Sequence, residues 1–170
     1  MANMSATKLG AAIADDFVKA AVLAGLDIPR SDIQVACLPA PHRPPSSLPV
    51  SKLAVYVFMY ADRCLKVGKA GPNSAARYCS QHYGFNAPST LAKSLLKRQA
   101  DIGVNGLTEQ SAKDWICNNT TRLDFLMPSR RGVFALSLLE AFVQCRLQPE
   151  FEGFSSQRLP SNSTPPPTRA

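Results

Sequence analysis

At 170 residues, with 45% hydrophobic and 18% charged side chains, the chain has room for one hydrophobic core and short appendages, which excludes wholesale disorder. The formal net charge of +7 is concentrated, because residues 62 to 131 hold eleven Lys and Arg against five acids, which suits a polyanion or a plain solvated basic surface. Five cysteines without a CxxC pair exclude a disulfide framework or zinc ribbon, and no apolar run approaches the ~20 residues of a membrane span, so reduced thiols, a cytoplasmic location and no membrane association are expected.

Residues 7 to 24 read as an amphipathic helix, with Leu9, Ile13, Phe17, Ala20 and Ala24 on one stripe and Gly25 placed to end it. Asp15, Asp16 and Lys19 break the apolar run that an export signal requires. After Pro29 come a short apolar run, IQVACL, and the segment PAPHRPPSSLP, whose prolines favour an extended connector. His42 lies among these prolines and receives no role. The expected organisation is an N-terminal helical arm and connector over 1–50, a domain over 51–153 and a disordered tail over 154–170, since the tail has little to bury.

AVYVFMY, residues 54 to 60, reads as a buried strand; after a turn at 61–63, CLKVGKA returns beside it as a hairpin. Lys66 and Gly68 then share a face by the two-residue period, and Gly68 leaves that face open to close approach. Asn73 or Ser74 caps a helix through Arg77 towards Gly84, and PSTLAKSLLKRQA and TEQSAKDWIC read as two further helices. TRLDFLMP alternates Leu123, Phe125 and Met127 with polar neighbours, the pattern of a strand buried on one face, and SRRG leads into the helix GVFALSLLEAFVQCRLQ. The sum is an α+β fold with a small antiparallel sheet.

AVYVFMY, LKVGKAG, Arg77 on the following helix, and Glu140 in LLEAFVQCRLQPEFEG, taken together and in this order, resemble the GIY-YIG nuclease superfamily over residues 51–153. Pro149, nine residues after Glu140, matches the proline that often closes that family's domain. The resemblance implies a three-stranded antiparallel sheet flanked by helices, with the two name motifs on adjacent strands and a metal-binding glutamate on a late helix. Ala54, Val55 and Tyr56 stand for the first motif, which keeps its tyrosine and loses its glycine. Lys66, Val67 and Gly68 stand for the second, with lysine in place of tyrosine, as in some restriction enzymes of the family; Glu152 stands where many relatives have asparagine.

These residue types fit phosphodiester hydrolysis on chemical grounds. A water must lose a proton, which either Tyr56 or Lys66 could accept, and negative charge must be offset at the phosphate. Arg77 suits a phosphate oxygen through its planar, always-charged fork. Glu140 suits a hard cation, Mg²⁺ or Mn²⁺, and His82 is an accessory proton carrier or phosphate contact. Lys69, Lys93, Lys97, Arg98, Arg130 and Arg131 are then candidate contacts to the DNA backbone. The implied activity is a DNA endonuclease, with a homodimer as one way to enlarge the DNA-binding surface. The alternatives are a catalytically inactive nucleic-acid-binding module of the same fold and an interaction subunit that docks through its terminal arms.

Overall fold

The structure, a computed structural model, describes residues 2–152. Helix α1, Ala2–Leu23, turns at Gly25 in the left-handed conformation (φ 76°), where a side chain would be strained. A 3-10 turn then leads into strand β1, Gln34–Leu38. The hairpin follows as β2, Lys52–Tyr60, and β3, Arg63–Ala70. Three helices, α2 (Ala75–Cys79), α3 (Leu91–Arg98) and α4 (Glu109–Asn119), separate it from strand β4, Thr121–Pro128, and the long helix α5, Gly132–Leu147.

The sheet is antiparallel throughout in the order β1-β4-β2-β3, so the α+β class holds but there are four strands rather than three. The additional strand comes from the short apolar run assigned to the N-terminal arm. Its register, Gln34↔Leu126 to Leu38↔Arg122, satisfies the backbone edge of β4 that would otherwise stay unpaired. Helix α1 crosses it at Gly10, where a Cβ would lie 2.7 Å from Val35 Cγ1.

Both faces of the sheet are covered. Leu53, Val55, Val57, Leu123, Phe125 and Met127 pack against Ile13, Ala14 and Phe17 of α1 and Leu136, Leu139 and Val143 of α5. Ala54, Tyr56, Phe58 and Leu126 point the other way, into Tyr78, Leu91, Leu95 and Ile116 of the central helices. The alternation in β4 is real, yet its polar positions do not face water: Arg122 and Asp124 are as buried as Leu123 and Phe125.

The expected helix through Gly84 is shorter than anticipated, ending at Cys79 before a 3-10 turn, Gln81–Tyr83, that aims His82 and Tyr83 inward. Thr90 caps α3 by accepting from the Lys93 amide, and Thr108 and Ser111 form a reciprocal capping box on α4. After α5 the chain returns to β3, with the amides of Glu150 and Phe151 donating to Cys64 O (2.9 Å) and Leu65 O (3.0 Å). These bonds meet the strand where the β2–β3 register shifts by one residue. The tail expected from residue 154 lies outside the described residues. Among the described residues no helix is long and apolar enough to cross a membrane.

Candidate functional site

Tyr56 sits in the middle of β2 with its ring lying over Gly68, its cross-strand partner. A Cβ on that glycine would be 2.7 to 2.8 Å from Cε2, Cζ and Oη of the ring, so this position tolerates nothing larger than hydrogen while the ring stays in place. The phenol oxygen is 2.8 Å from His82 Nε2. The direction of that bond follows from the other ring nitrogen: the Leu91 amide, first of α3, donates to His82 Nδ1 at 3.3 Å. Nδ1 is therefore unprotonated, Nε2 carries the hydrogen, and His82 donates to Tyr56.

Burial lowers the His82 pKa to about 3, with the positive charges of Lys66, Arg77 and Arg122 acting in the same sense, so the ring is neutral. This geometry makes His82 a buried hydrogen-bond donor to Tyr56, rather than a group lying in the open cleft. Burial likewise pushes Tyr56 up to about 12, against the opposing influence of Arg77 and Arg122. The residue is 0% exposed.

Arg77, on α2, and Glu140, on α5, line one open cleft of about 370 Å³ beside the end of β3, together with Lys69, Ser74 and Ser137. Lys69 donates to Glu140 Oε2 at 2.8 Å and to Ser137 Oγ at 3.1 Å, which fixes the carboxylate. Arg77 is exposed and makes no ion pair among the described residues. Glu140 lies on α5, whose buried residues pack on the sheet face opposite Tyr56, and its charge still reaches the Tyr56 phenol.

Lys66 is drawn elsewhere. Its side chain is 1% exposed and its Nζ lies 2.7 Å from Glu152 Oε1 and 3.3 Å from Ser89 Oγ. The cations acting on Tyr56 are Arg77, which also hydrogen-bonds the phenol, and Arg122, so the structure joins Tyr56 with both His82 and Arg77, sets Arg77 and Glu140 in one cleft, and pairs Lys66 with Glu152 at the far end of the domain.

Beneath Tyr56 lies a polar network that the sequence pattern did not reveal. Arg122 donates from Nε to Asp124 Oδ1 (2.7 Å) and from Nη1 to Tyr83 Oη (3.3 Å), while Tyr78 donates to Asp124 Oδ2 (2.5 Å). His42 donates from Nδ1 to Thr120 O (2.9 Å), so its Nε2 accepts from Tyr83 Oη at 2.9 Å. Burial keeps His42 below its usual pKa, consistent with this neutral, accepting ring. The guanidinium carbon of Arg122 stands 4.8 Å from the Tyr56 ring centre and 4.5 Å from that of Tyr78, and Nη2 has no hydrogen-bond partner among the described residues. The one sequence clue was the spacing: Arg122 and Asp124 are two apart in a strand, hence on one face, inside a run that is otherwise apolar.

The surface cations divide into two groups. Arg130 and Arg131 both bind Asp32, at 2.9 and 2.6 Å, and hold its carboxyl below the usual range, Arg131 more than Arg130 despite some burial. Arg98 is taken up by Asp101 Oδ2 (2.7 Å), Glu150 O (2.8 Å) and the face of Phe151. Lys93 and Lys97 are exposed on α3 without an ion pair among the described residues.

Among the described residues no three His, Cys, Asp or Glu side chains come together as a metal cage. The donors lining the cleft are one carboxylate, Glu140, and the hydroxyls of Ser74 and Ser137, an all-oxygen set of the type a largely hydrated Mg²⁺ accepts. Comparison with protein-family models, curated proteins and solved structures gives no match to this chain.

Proposed function

We propose that the protein is a metal-dependent DNA endonuclease with a GIY-YIG-like domain, hydrolysing a phosphodiester held in the cleft at the end of β3. The observation that carries this reading is the meeting of Arg77 and Glu140, remote in sequence, across one open cleft within electrostatic reach of Tyr56. An exposed guanidinium opposite a fixed carboxylate is the arrangement that grips a phosphate on one side and a hard cation on the other.

Arg77 donates to a non-bridging phosphate oxygen and remains charged throughout the reaction. Lys69 orients Glu140 and adds positive charge to the same wall. Glu140 would hold the Mg²⁺ or Mn²⁺ ion, whose chemistry is to offset the negative charge that builds up at phosphorus. Of the two candidate bases Tyr56 is favoured, since Lys66 is held as an ion pair by Glu152. His82, donating to the Tyr56 oxygen, stabilises the charge left there when the phenol gives up its proton. With the phenol at about 12, only about one molecule in 10⁵ carries the ionised base at pH 7. The rate should therefore climb about tenfold per pH unit between pH 6 and 9 when chemistry limits turnover.

A second reading, a nucleic-acid-binding module without catalysis, is favoured by one observation: Tyr56 is wholly buried and its proton tightly held. Incubation of supercoiled plasmid with the purified protein and Mg²⁺ or Mn²⁺ separates the two. We expect metal-dependent nicking, lost in Glu140→Ala and Tyr56→Phe and reduced about 10²- to 10³-fold in Arg77→Ala, with DNA binding retained. Binding without nicking in the unaltered protein would establish the module instead. A flat pH profile would remove Tyr56 as the base.

A further inference from the structure

A fully buried arginine with an unpartnered nitrogen is a poor structural solution, because an apolar side chain of similar volume would fill the same space without the loss of hydration. Arg122 is nevertheless held from two sides, by Asp124 through Nε and by Tyr83 through Nη1, and Tyr83 is itself fixed by His42 from the proline-rich connector. What remains of the guanidinium faces aromatic rings: Tyr78 at 4.5 Å, Tyr56 at 4.8 Å and Phe58 at 5.5 Å. Of these, Tyr56 is the ring whose oxygen also takes a hydrogen bond from His82 and lies over Gly68.

We propose that Arg122 is a positioning residue for Tyr56, a permanent buried cation pressed on its ring that stabilises negative charge on the phenol oxygen. The proposal rests on the reading of Tyr56 as the base. The charged and titratable groups around that phenol are Arg77 and Tyr78 on α2, His82 on the following turn, Glu140 on α5, Lys66 on β3, and Arg122 with Asp124 on β4. Arg77 is exposed although it hydrogen-bonds the Tyr56 phenol, so solvent and any bound phosphate compete for it, whereas Arg122 is fully buried and enclosed by its partners. Its influence is also screened less by salt than that of a surface charge. Asp124 offsets part of this charge through its bond to Nε, but its other oxygen is bonded to the Tyr78 hydroxyl, and it is the guanidinium that lies against the Tyr56 ring.

The test reads ionisation directly and needs no nuclease activity. Tyr56 is replaced site-specifically by 3,5-difluorotyrosine, whose greater acidity brings its ionisation into the pH range where the fold survives, and the ¹⁹F shift is followed against pH. In Arg122→Gln/Asp124→Asn, a neutral pair that keeps hydrogen-bonding groups, the midpoint should rise by about half a unit, less than for the loss of a lone cation because the Asp124 carboxylate is removed with it. Arg122→Met/Asp124→Leu should give the same rise if the amide pair fails to fold, since apolar replacement of a buried ion pair is often tolerated. Arg122→Lys, which keeps the charge, should restore most of the shift. In the otherwise native chain, the rate of plasmid nicking at a fixed pH should fall about threefold in the neutral pairs, with the whole pH profile displaced to alkaline values. An unchanged ¹⁹F midpoint in a folded neutral pair overturns the proposal. A shifted midpoint in a protein that never nicks DNA upholds the coupling and overturns the nuclease reading.

Discussion

The two faces of the sheet solve the same packing problem with different chemistry. Against α1 and α5 the filling is aliphatic and aromatic, from Ile13 and Phe17 through Val55 and Phe125 to Leu139. Against α2, α3 and α4 it includes Arg122, Asp124, His82 and three tyrosines, joined by directed hydrogen bonds that begin at His42. Stability alone would favour the first kind on both sides, because each buried charge must recover its lost hydration through partners. The second kind is kept on the face that carries Tyr56, with the Arg122 guanidinium against its ring.

The contrast can be broken most forcefully by truncation. Arg122→Ala leaves Asp124 buried with only Tyr78 to bond it, and should cost about 3–5 kcal/mol in urea unfolding. On the other face Ile13→Val, which removes one methyl group, should cost about 0.5–1.5 kcal/mol. Equal costs would mean that the polar network is not integral to the fold.

Acid sharpens the same comparison. His82 has its folded pKa depressed to about 3 from 6.5, and His42 is lowered as well. The stability these neutral rings contribute is therefore fully present above pH 6.5 and lost as pH falls towards the folded values. Unfolding free energy should decline between pH 6.5 and about 4 with a slope approaching ~1.4 kcal/mol per unit from His82, to which His42 adds in the same direction. His82→Gln should flatten that slope. An unaltered slope would place the acid sensitivity elsewhere.

The smallest effects concern the outer surfaces. On the α1 side Arg130 and Arg131 are committed to Asp32, while Lys93 and Lys97 on the opposite side carry no ion pair among the described residues. Lys93→Gln/Lys97→Gln should weaken DNA binding in titrations at several salt concentrations and lower the log–log salt slope by about one for each phosphate that is no longer neutralised. Arg130→Gln/Arg131→Gln should change it less. The reverse order would assign the DNA track to the α1 side.

Much of the architecture was legible because it depends on local pattern. AVYVFMY and CLKVGKA form the hairpin, TRLDFLMP is a strand, and Gly68 does admit the Tyr56 ring. Strand β1 escaped because five residues before a proline run carry too little periodicity to distinguish a strand from a connector. The polar network leaves no signal because alternation in β4 implies one wet face, whereas helices cover both. The partners of His42 and Lys66, Tyr83 and Glu152, are distant in the chain, and pairings of that kind leave no trace in spacing. For the candidate site, Arg77 and Glu140 line one cleft, while the buried setting of Tyr56 and the engagement of Lys66 by Glu152 depend on packing between distant segments that spacing does not encode.

The return of the chain along β3 has one more consequence. An outermost strand offers its unpaired amides and carbonyls to any extended polypeptide nearby, and here Glu150 and Phe151 occupy Cys64 O and Leu65 O while Glu152 clamps Lys66 from the same side. Removing residues 149 onward would strip that guard and present β3 as a template for strand addition, so the shortened protein should self-associate into β-rich aggregates well before it loses its helices.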